Sequence, residues 1–179
     1  MKVTYIIGIP AAGKSSLVSA ATENYLRFEA TTPFATEYIC NQNGDIVALE
    51  LGKQREKFSG TDALAMNVMP KACNWVQNPT EQFNTVIGEG DRLASKKFFE
   101  ACINSPNVET LNVIHLQVSN ETAQERRKQR GSNQNETWLK SRETKVQNLQ
   151  EYVTHSLNAE EPLQTLVKQY CKIAELPIP

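Results

Sequence analysis

The sequence has little of what marks several large classes of protein. Only two of its 179 residues are histidine and four are cysteine. The cysteines are far apart and form no C-x-x-C pair, which indicates reduced thiols in a cytosolic protein rather than a disulfide framework or a zinc site. The histidines are equally far apart and fit core or edge positions better than a metal site. These residues are Cys40, Cys73, Cys102, Cys171, His115 and His155.

Long apolar runs and a strong net charge are also missing. No stretch approaches the roughly 18 apolar residues of a membrane-spanning helix, so the sequence predicts no membrane partner. The first apolar run is too short for a signal peptide and leads directly into a glycine-containing loop. The formal net charge is −1, which provides no global attraction to nucleic acid but leaves room for a local basic face. The length fits a single domain spanning residues 1–179.

The most specific motif lies near the start of the chain. Residues Gly8 to Ser15 match the pattern G-x-x-x-x-G-K-S/T without a mismatch. The apolar run at 3–7 predicts a buried strand before it, and residues 15–21 can begin a helix after it, which is the context that a phosphate-binding loop requires. An ordinary glycine turn is the alternative. The predicted nucleotide-binding residues are Gly8, Pro10, Ala11, Ala12, Gly13, Lys14, Ser15 and Ser16.

The residue types of this loop suit a nucleoside triphosphate. Glycines let backbone N–H groups approach phosphate oxygens closely, and a helix N-terminus adds partial positive charge at the same place. Lys14 is expected to reach the β- and γ-phosphates as a catalytic residue, and the Ser15 hydroxyl to hold Mg²⁺. ATP and Mg²⁺ are therefore the expected cofactors.

Strand and helix patterns alternate along the rest of the chain. Asn43-Gly44 between two apolar-rich runs predicts a β-hairpin. The alternation predicts an α/β three-layer sandwich, in which a parallel sheet of about five strands has helices on both faces, with an inserted hairpin and a helical lid. Further strands are predicted at 34–40, 45–51, 84–88, 111–118 and 152–157, and helices at 61–77, 92–103, 120–130, 136–151 and 160–175.

An acidic cluster follows the predicted strand at 84–88, where the ligands of such sheets bind. Glu89 or Asp91 could hold a Mg²⁺-bound water, and Arg92 could contact a substrate phosphate or stabilise the transferred charge. We include Asp91 and Arg92 among the candidate catalytic residues and Glu89 among the metal ligands. The alternative is that Asp91 caps the next helix and Arg92 is solvated.

A region at about 34–62, between the first strand and this acidic cluster, offers groups for a second substrate. Asp62 is our choice of general base, with Glu29 and Asp91 as rivals. Arg55 could hold an anionic acceptor, as could its neighbours Lys53 and Lys57. Acceptor contacts are also expected from Phe58, which could stack on a ring, and from Ser59. The alternative is helix capping by Ser59, Thr61 or Asp62, with Phe58 in the core.

A stretch rich in arginine and lysine runs from Glu125 to Gly131 and continues on the following helix. The planar guanidinium group binds phosphate oxygens in pairs, so Arg126, Arg130 and Arg142 are candidates for contacting phosphate. A solvated helical hairpin would explain the same composition.

With the glycine loop, the acidic strand end and the basic segment in this order, the chain resembles small P-loop kinases. These include nucleoside monophosphate kinases, gluconate and shikimate kinases, and the kinase half of polynucleotide kinases. The resemblance implies an ATP-dependent phosphotransferase whose lid, at about 120–146, closes over the nucleotide phosphates and excludes water. The sequence has neither the Walker-B Asp-Glu pair of motor ATPases nor the guanine-binding motif of GTPases.

Three segments, at 58–64, 88–93 and 138–145, are similar to phage-encoded P-loop kinases. Some of those enzymes phosphorylate the hydroxymethyl group of 5-hydroxymethyluracil in DNA. This resemblance implies a nucleotide or nucleobase hydroxyl as acceptor, with that modified base as the specific candidate, and the host cytoplasm as the location. The near-neutral charge weakens the implication, because DNA contact normally requires a basic face. A kinase of a free nucleoside monophosphate or small metabolite, and a nucleotide-gated binding protein or slow ATPase, are the alternatives.

Overall fold

A computed structural model of the chain describes residues 1–30, 34–55 and 59–179. The strands in these residues are β1 (Lys2–Ile7), β2 (Leu26–Ala30), β3 (Thr36–Cys40), β4 (Ile46–Leu51), β5 (Thr85–Glu89), β6 (Thr110–Gln117) and β7 (His155–Asn158). The α-helices are α1 (Lys14–Ala21), α2 (Met69–Gln77), α3 (Lys96–Ile103), α4 (Asn120–Gln129), α5 (Glu136–Gln147) and α6 (Leu163–Ala174). Short 3₁₀ helices cover Thr61–Ala63 and Gln150–Tyr152.

The strands form one sheet in the order β2-β3-β4-β5-β1-β6-β7. Neighbours from β4 to β7 are parallel, whereas β2 and β3 are antiparallel to their neighbours. The α/β prediction is confirmed, but the sheet has seven strands rather than about five. The predicted hairpin is β3–β4, and it extends the sheet because β4 pairs with β5, with Leu49 opposite Val86.

Side chains alternate between the two faces of the sheet and build a core on each. On β1, Val3, Tyr5 and Ile7 belong to the apolar cluster that includes residues of α2 and α3. Ile6 belongs to the second cluster, together with residues of α1 and α6. The strands are therefore enclosed by helices on both faces, and their C-terminal ends meet along one edge of the sheet.

Strand β2 was not among the predicted strands, and its environment explains why. Its apolar residues Leu26 and Phe28 are exposed, whereas the charged Arg27 between them points inward. Arg27 forms ion pairs with Glu37 on β3 and Glu50 on β4, both of which are buried. The usual alternation of strands is thus inverted, because a buried ionic group occupies the position of a core residue.

Helices α2, α3 and α6 begin later than predicted, α6 by only three residues, and the first two do so for local reasons. The predicted helix at 61–77 is divided into a 3₁₀ turn and α2, which begins at Met69 with Pro70 in its first turn, where proline is tolerated. Helix α3 begins at Lys96 rather than near residue 92, because the Ser95 side chain caps it by accepting a hydrogen bond from the Phe98 N–H at 3.2 Å. Among the described residues, no helix is long and apolar enough to cross a membrane.

Tyr5 connects the core of the sheet to the edge where the strands end. Its ring packs edge-on against Phe98 and Phe99, with centroid separations of 6.0 and 5.5 Å. Its hydroxyl lies 2.8 Å from the Thr61 hydroxyl and donates to the Gly90 carbonyl at 3.0 Å. Tyr5 and Thr61 are fully buried, so these hydrogen bonds replace contacts with water.

We expect Tyr5→Phe to reduce the free energy of unfolding by about 1 to 3 kcal/mol, because it leaves buried polar groups without a partner. Urea denaturation at neutral pH measures this difference. The matched control is Tyr152→Phe, which removes a hydroxyl that donates to Glu100 at the surface at 2.9 Å. An equal loss of unfolding free energy in both variants would contradict the expectation, because the buried hydrogen bonds of Tyr5 would then contribute no more than the surface hydrogen bond of Tyr152.

Candidate active site

The loop from Gly8 to Ser15 connects β1 to α1, and its first residue packs closely against the backbone of β6. A Cβ atom at Gly8 would lie 2.7 Å from the Leu116 carbonyl oxygen of β6, so only glycine fits there. Gly13, with φ of 101°, precedes α1, and no side chain caps this helix. The first N–H groups of α1 are therefore available to an anion at the edge of the sheet.

Lys14 folds back over the loop that precedes it. Its ammonium donates to the carbonyl oxygens of Gly8 at 2.9 Å and Ile9 at 3.3 Å. Burial lowers the pKa of Lys14, and the nearby carboxylates of Glu89, Asp62 and Asp91 oppose that shift. The ammonium thus has carbonyl partners that a phosphate group can replace, and acidic neighbours that keep it charged.

Ser15 and Glu89 form an all-oxygen pair beside the loop. The Ser15 hydroxyl donates to Glu89 Oε1 at 2.8 Å. Glu89 ends β5, the neighbour of β1, and is only 2% exposed. Mg²⁺ in nucleotide enzymes takes one or two protein oxygens together with phosphate oxygens and waters, and this pair fits that requirement. Among the described residues, no cluster of three or more His, Cys, Asp or Glu side chains offers a metal site made by protein alone.

The Glu89 carboxylate is enclosed by protein. Burial raises its pKa to about 7, although Lys14 and the Ser15 hydrogen bond act in the opposite direction. Gly60 covers it, since a side chain at that position would overlap the carboxylate. The region before the 3₁₀ turn at Thr61–Ala63 therefore packs directly against the candidate metal ligand.

Asp62 and Asp91 are brought together, but their environments differ. The Asp91 N–H donates to Asp62 Oδ1 at 2.7 Å. The Asp91 carboxylate is paired with Arg142 and with Lys145, whose ammonium lies 2.9 Å from Oδ1 and also donates to the Asp91 carbonyl at 2.7 Å. Asp91 does not cap α3, because Ser95 does. The carboxylate of Asp62 has no basic side-chain partner in the described residues, whereas that of Asp91 has two.

The candidate lid residues occupy two different places. Arg126 donates to the Ala12 carbonyl at 3.1 Å and the Ala159 carbonyl at 2.9 Å, so it braces the back of the loop. Arg130 and Arg142 line a cleft in front of the phosphate-binding loop. Arg127 also lines the cleft and donates to the Pro10 carbonyl at 3.3 Å, but it was not among the predicted residues. Arg127 lies in the last turn of α4 and Arg130 directly follows the helix. Their spacing of three residues, which places side chains on one side of a helix, was visible in the sequence.

Two of the three residues predicted to bind the second substrate line this cleft. Arg55 and Ser59 line the cleft, and Phe58 lies outside the described residues. Arg92 also lines it and donates to the Leu64 carbonyl at 3.2 Å, so it is not simply solvated. Glu29, a rival base, is paired with Lys53 at the surface.

Most of these groups, although not Arg126 or Glu29, border one cleft of about 1630 Å³. Pockets for a single small ligand measure roughly 300 to 1,000 Å³, so this cleft has room for two substrates. Seven basic and three acidic side chains line it, which makes it locally positive although the chain has a net charge of −1. The basic residues are Lys14, Arg55, Arg92, Arg127, Arg130, Arg142 and Lys145.

A phosphate-binding loop at the C-terminal edge of a parallel sheet, beside a serine–glutamate pair and a basic cleft, defines a P-loop kinase. The chain belongs to the P-loop Nucleotide Kinase3 family, whose model matches residues 1–169. It is thus a phosphotransferase, and the predicted resemblance to small P-loop kinases is confirmed.

Two solved structures share the fold at low sequence identity, and a third is less similar. A sugar kinase from Janibacter sp. HTCC2649 is 10% identical with a TM-score of 0.53, over 98% of this chain and 95% of the other. A gluconokinase from Sinorhizobium meliloti 1021 is 15% identical with a TM-score of 0.53, over 97% and 94%. A deoxyadenosine kinase from M. mycoides is 13% identical with a TM-score of 0.46, over 95% and 96%. A search of curated proteins found no significant match.

The raised pKa of Glu89 leads to a prediction about stability and pH. The folded protein keeps this proton up to about pH 7, whereas the unfolded chain loses it near 4.5. Burial of Glu89 therefore becomes less favourable as pH rises across that window. Relative to wild type, Glu89→Gln should gain about 2 to 3 kcal/mol in the free energy of unfolding between pH 5 and pH 8.

Denaturation at several pH values, without nucleotide or Mg²⁺, measures this gain. Glu23→Gln, at an exposed position, is the control and should differ from wild type by the same amount at every pH. A constant difference for Glu89→Gln as well would contradict the expectation.

Proposed function

We propose that this kinase transfers the γ-phosphoryl group of ATP to a hydroxyl or phosphate of a nucleotide, or to a hydroxyl on a nucleobase, with Mg²⁺ as cofactor. The observation that carries this proposal is the convergence of Lys14, the Ser15–Glu89 pair and Asp62 on one cleft that has room for two substrates. The family description, a nucleotide kinase, supports a nucleotide as one of them.

The donor end of the cleft is the loop and the start of α1. Backbone N–H groups of the loop bind the phosphates, and Lys14 exchanges its carbonyl partners for phosphate oxygens. Ser15 and Glu89 would hold Mg²⁺, which neutralises charge on the β- and γ-phosphates. Arg127 on α4 and Arg130 directly after it lie at the side of the same cleft, where a guanidinium can stabilise the transferred group.

The acceptor end lies between Asp62 and α5. An acceptor oxygen forms a bond to the γ-phosphorus as the bond from that phosphorus to the β–γ bridging oxygen breaks, and ADP leaves. Asp62 takes the proton of an acceptor hydroxyl, since Asp91 is already paired with Arg142 and Lys145. Arg55, Ser59 and Arg92 bind the acceptor.

For the acceptor itself we propose 5-hydroxymethyluracil in DNA as the specific candidate. The local excess of basic side chains in the cleft favours a polyanionic substrate, despite the near-neutral net charge. A base within a duplex must leave the stack before its hydroxyl can reach Asp62. A free nucleoside monophosphate is the second candidate, and the same basic groups favour it over a neutral metabolite.

Incubation with γ-labelled ATP, Mg²⁺ and two acceptor sets tests these proposals. One set is DNA that contains thymine, uracil or 5-hydroxymethyluracil, and the other contains free nucleosides, nucleotides and sugars. We expect label only in 5-hydroxymethyluracil DNA, weakened by salt, and reduced at least about 100-fold by Lys14→Ala. Label in a free nucleotide would instead support the second candidate, and slow phosphate release without transfer would indicate a nucleotide-gated ATPase.

Substitution of the two aspartates separates their roles. We expect Asp62→Asn to lower kcat roughly 10²- to 10⁴-fold, the range for loss of a general base, because asparagine keeps the oxygen that accepts from Asp91 but binds no proton. Asp91→Asn should chiefly raise KM, since it weakens the pairing with α5. Asp45→Asn in the β3–β4 turn is the control. A large fall in kcat for Asp91→Asn alone would assign the base to Asp91.

A further inference from the structure

Ligand clefts are typically lined by apolar and aromatic side chains together with a few polar groups. Eight such side chains are exposed in the described residues, and two of them line the cleft. These are Met66, which is 80% exposed, and Trp138, which is 38% exposed. The other six lie elsewhere on the protein, so these two are the exposed large apolar side chains that the cleft offers to a ligand.

Trp138 lies in the first turn of α5. Its backbone N–H donates to the Asn135 side chain at 2.8 Å, which caps the helix and fixes the backbone from which the indole projects. The guanidinium carbon of Arg142, one turn further along the helix, lies 5.3 Å from the centre of the indole ring. A cation over a ring stabilises that arrangement, so the contact favours a position of the indole beside Arg142.

The position of the indole assigns it to the acceptor end of the cleft. Arg142 pairs with Asp91, whose N–H binds Asp62, the proposed base. Trp138 is thus connected to the reacting end through three successive contacts. The basic residues nearest the phosphate-binding loop, Arg126 and Arg127, belong to a different helix.

From this arrangement we infer that Trp138 is the stacking surface for the base of the acceptor. The inference rests on the proposed function and deepens it, because it requires an acceptor with a planar aromatic ring rather than a sugar or a sugar acid. The ring would lie on the indole, with Met66 as a second apolar contact in the cleft. Base–aromatic stacking does not discriminate between bases, so Trp138 would provide affinity rather than selectivity. Recognition of the hydroxyl or exocyclic groups of the base would come from other residues of the cleft.

Arg142 has the chemistry to bind the acceptor beside that ring. Its Nη1 atom is paired with Asp91, whereas Nη2 has no hydrogen-bond partner among the described residues, and the side chain is partly exposed. An unpaired guanidinium N–H next to an exposed indole suits a ligand that combines a ring with an oxygen acceptor, which is the composition of a nucleotide.

Two measurements test the inference, one by binding and one by turnover. For binding, the site for ATP is first filled with a non-hydrolysable ATP analogue and Mg²⁺, and tryptophan fluorescence is then followed on addition of thymidine monophosphate, 5-hydroxymethyldeoxyuridine, a single-stranded oligonucleotide or gluconate. Trp75, the other tryptophan, is 2% exposed and supplies a constant background. We expect the base-containing compounds to quench wild type but not Trp138→Phe, and gluconate to quench neither.

For turnover, Trp138→Ala should raise KM for the acceptor roughly 5- to 100-fold, the range that base–aromatic stacking provides, with KM for ATP unchanged. Trp138→Phe should recover most of the affinity, because it restores a ring. Lys140→Ala is the matched control, since Lys140 lies on the same helix outside the cleft.

The outcomes separate this inference from the proposed function. Transfer to a base-containing acceptor with an unchanged KM in Trp138→Ala would overturn the inference and leave the kinase assignment intact. Complete quenching by the ATP analogue alone would also overturn it, because the indole would then bind the donor. If no acceptor is phosphorylated, the binding measurement still decides, and an absence of quenching by every base-containing compound overturns the inference.

Discussion

The site is arranged around one buried carboxylate, that of Glu89. At 2% exposure it has lost nearly all its water, and the surrounding protein must supply what water would have provided. Ser15 donates a hydrogen bond to it, Lys14 supplies a positive charge, and the backbone at Gly60 closes over it. The phosphate-binding loop and the segment before Asp62 thus meet on the same group, although some fifty residues separate them.

The hairpin edge of the sheet uses a second buried ionic group. Arg27 connects β2, β3 and β4 through Glu37 and Glu50, and it also donates to the Thr22 hydroxyl at the end of α1 at 2.7 Å. The Gln54 N–H donates to the other oxygen of Glu37 at 3.1 Å. The chain that leads to the acceptor end of the cleft is therefore held by the same ion pairs that fix β2 to the sheet.

How far the sequence predicts this protein depends on how local each determinant is. The loop from Gly8 to Ser15 is a continuous motif in a strand–helix context, so its position and the α/β fold followed from the sequence. Strand β2 did not, because Arg27 points inward only when Glu37 and Glu50 are in place. The bracing of the loop by Arg126, and the cleft position of Arg127 and Trp138, depend on how α4 and α5 pack, which spacing alone does not specify.

Asp91 connects α5 to Asp62. Its carboxylate is bound by α5 while its own N–H holds the Asp62 carboxylate. The orientation of the Asp62 carboxylate thus depends on Asp91, and the carboxylate of Asp91 depends on α5. A substitution on α5 can therefore disturb Asp62 through this chain of contacts.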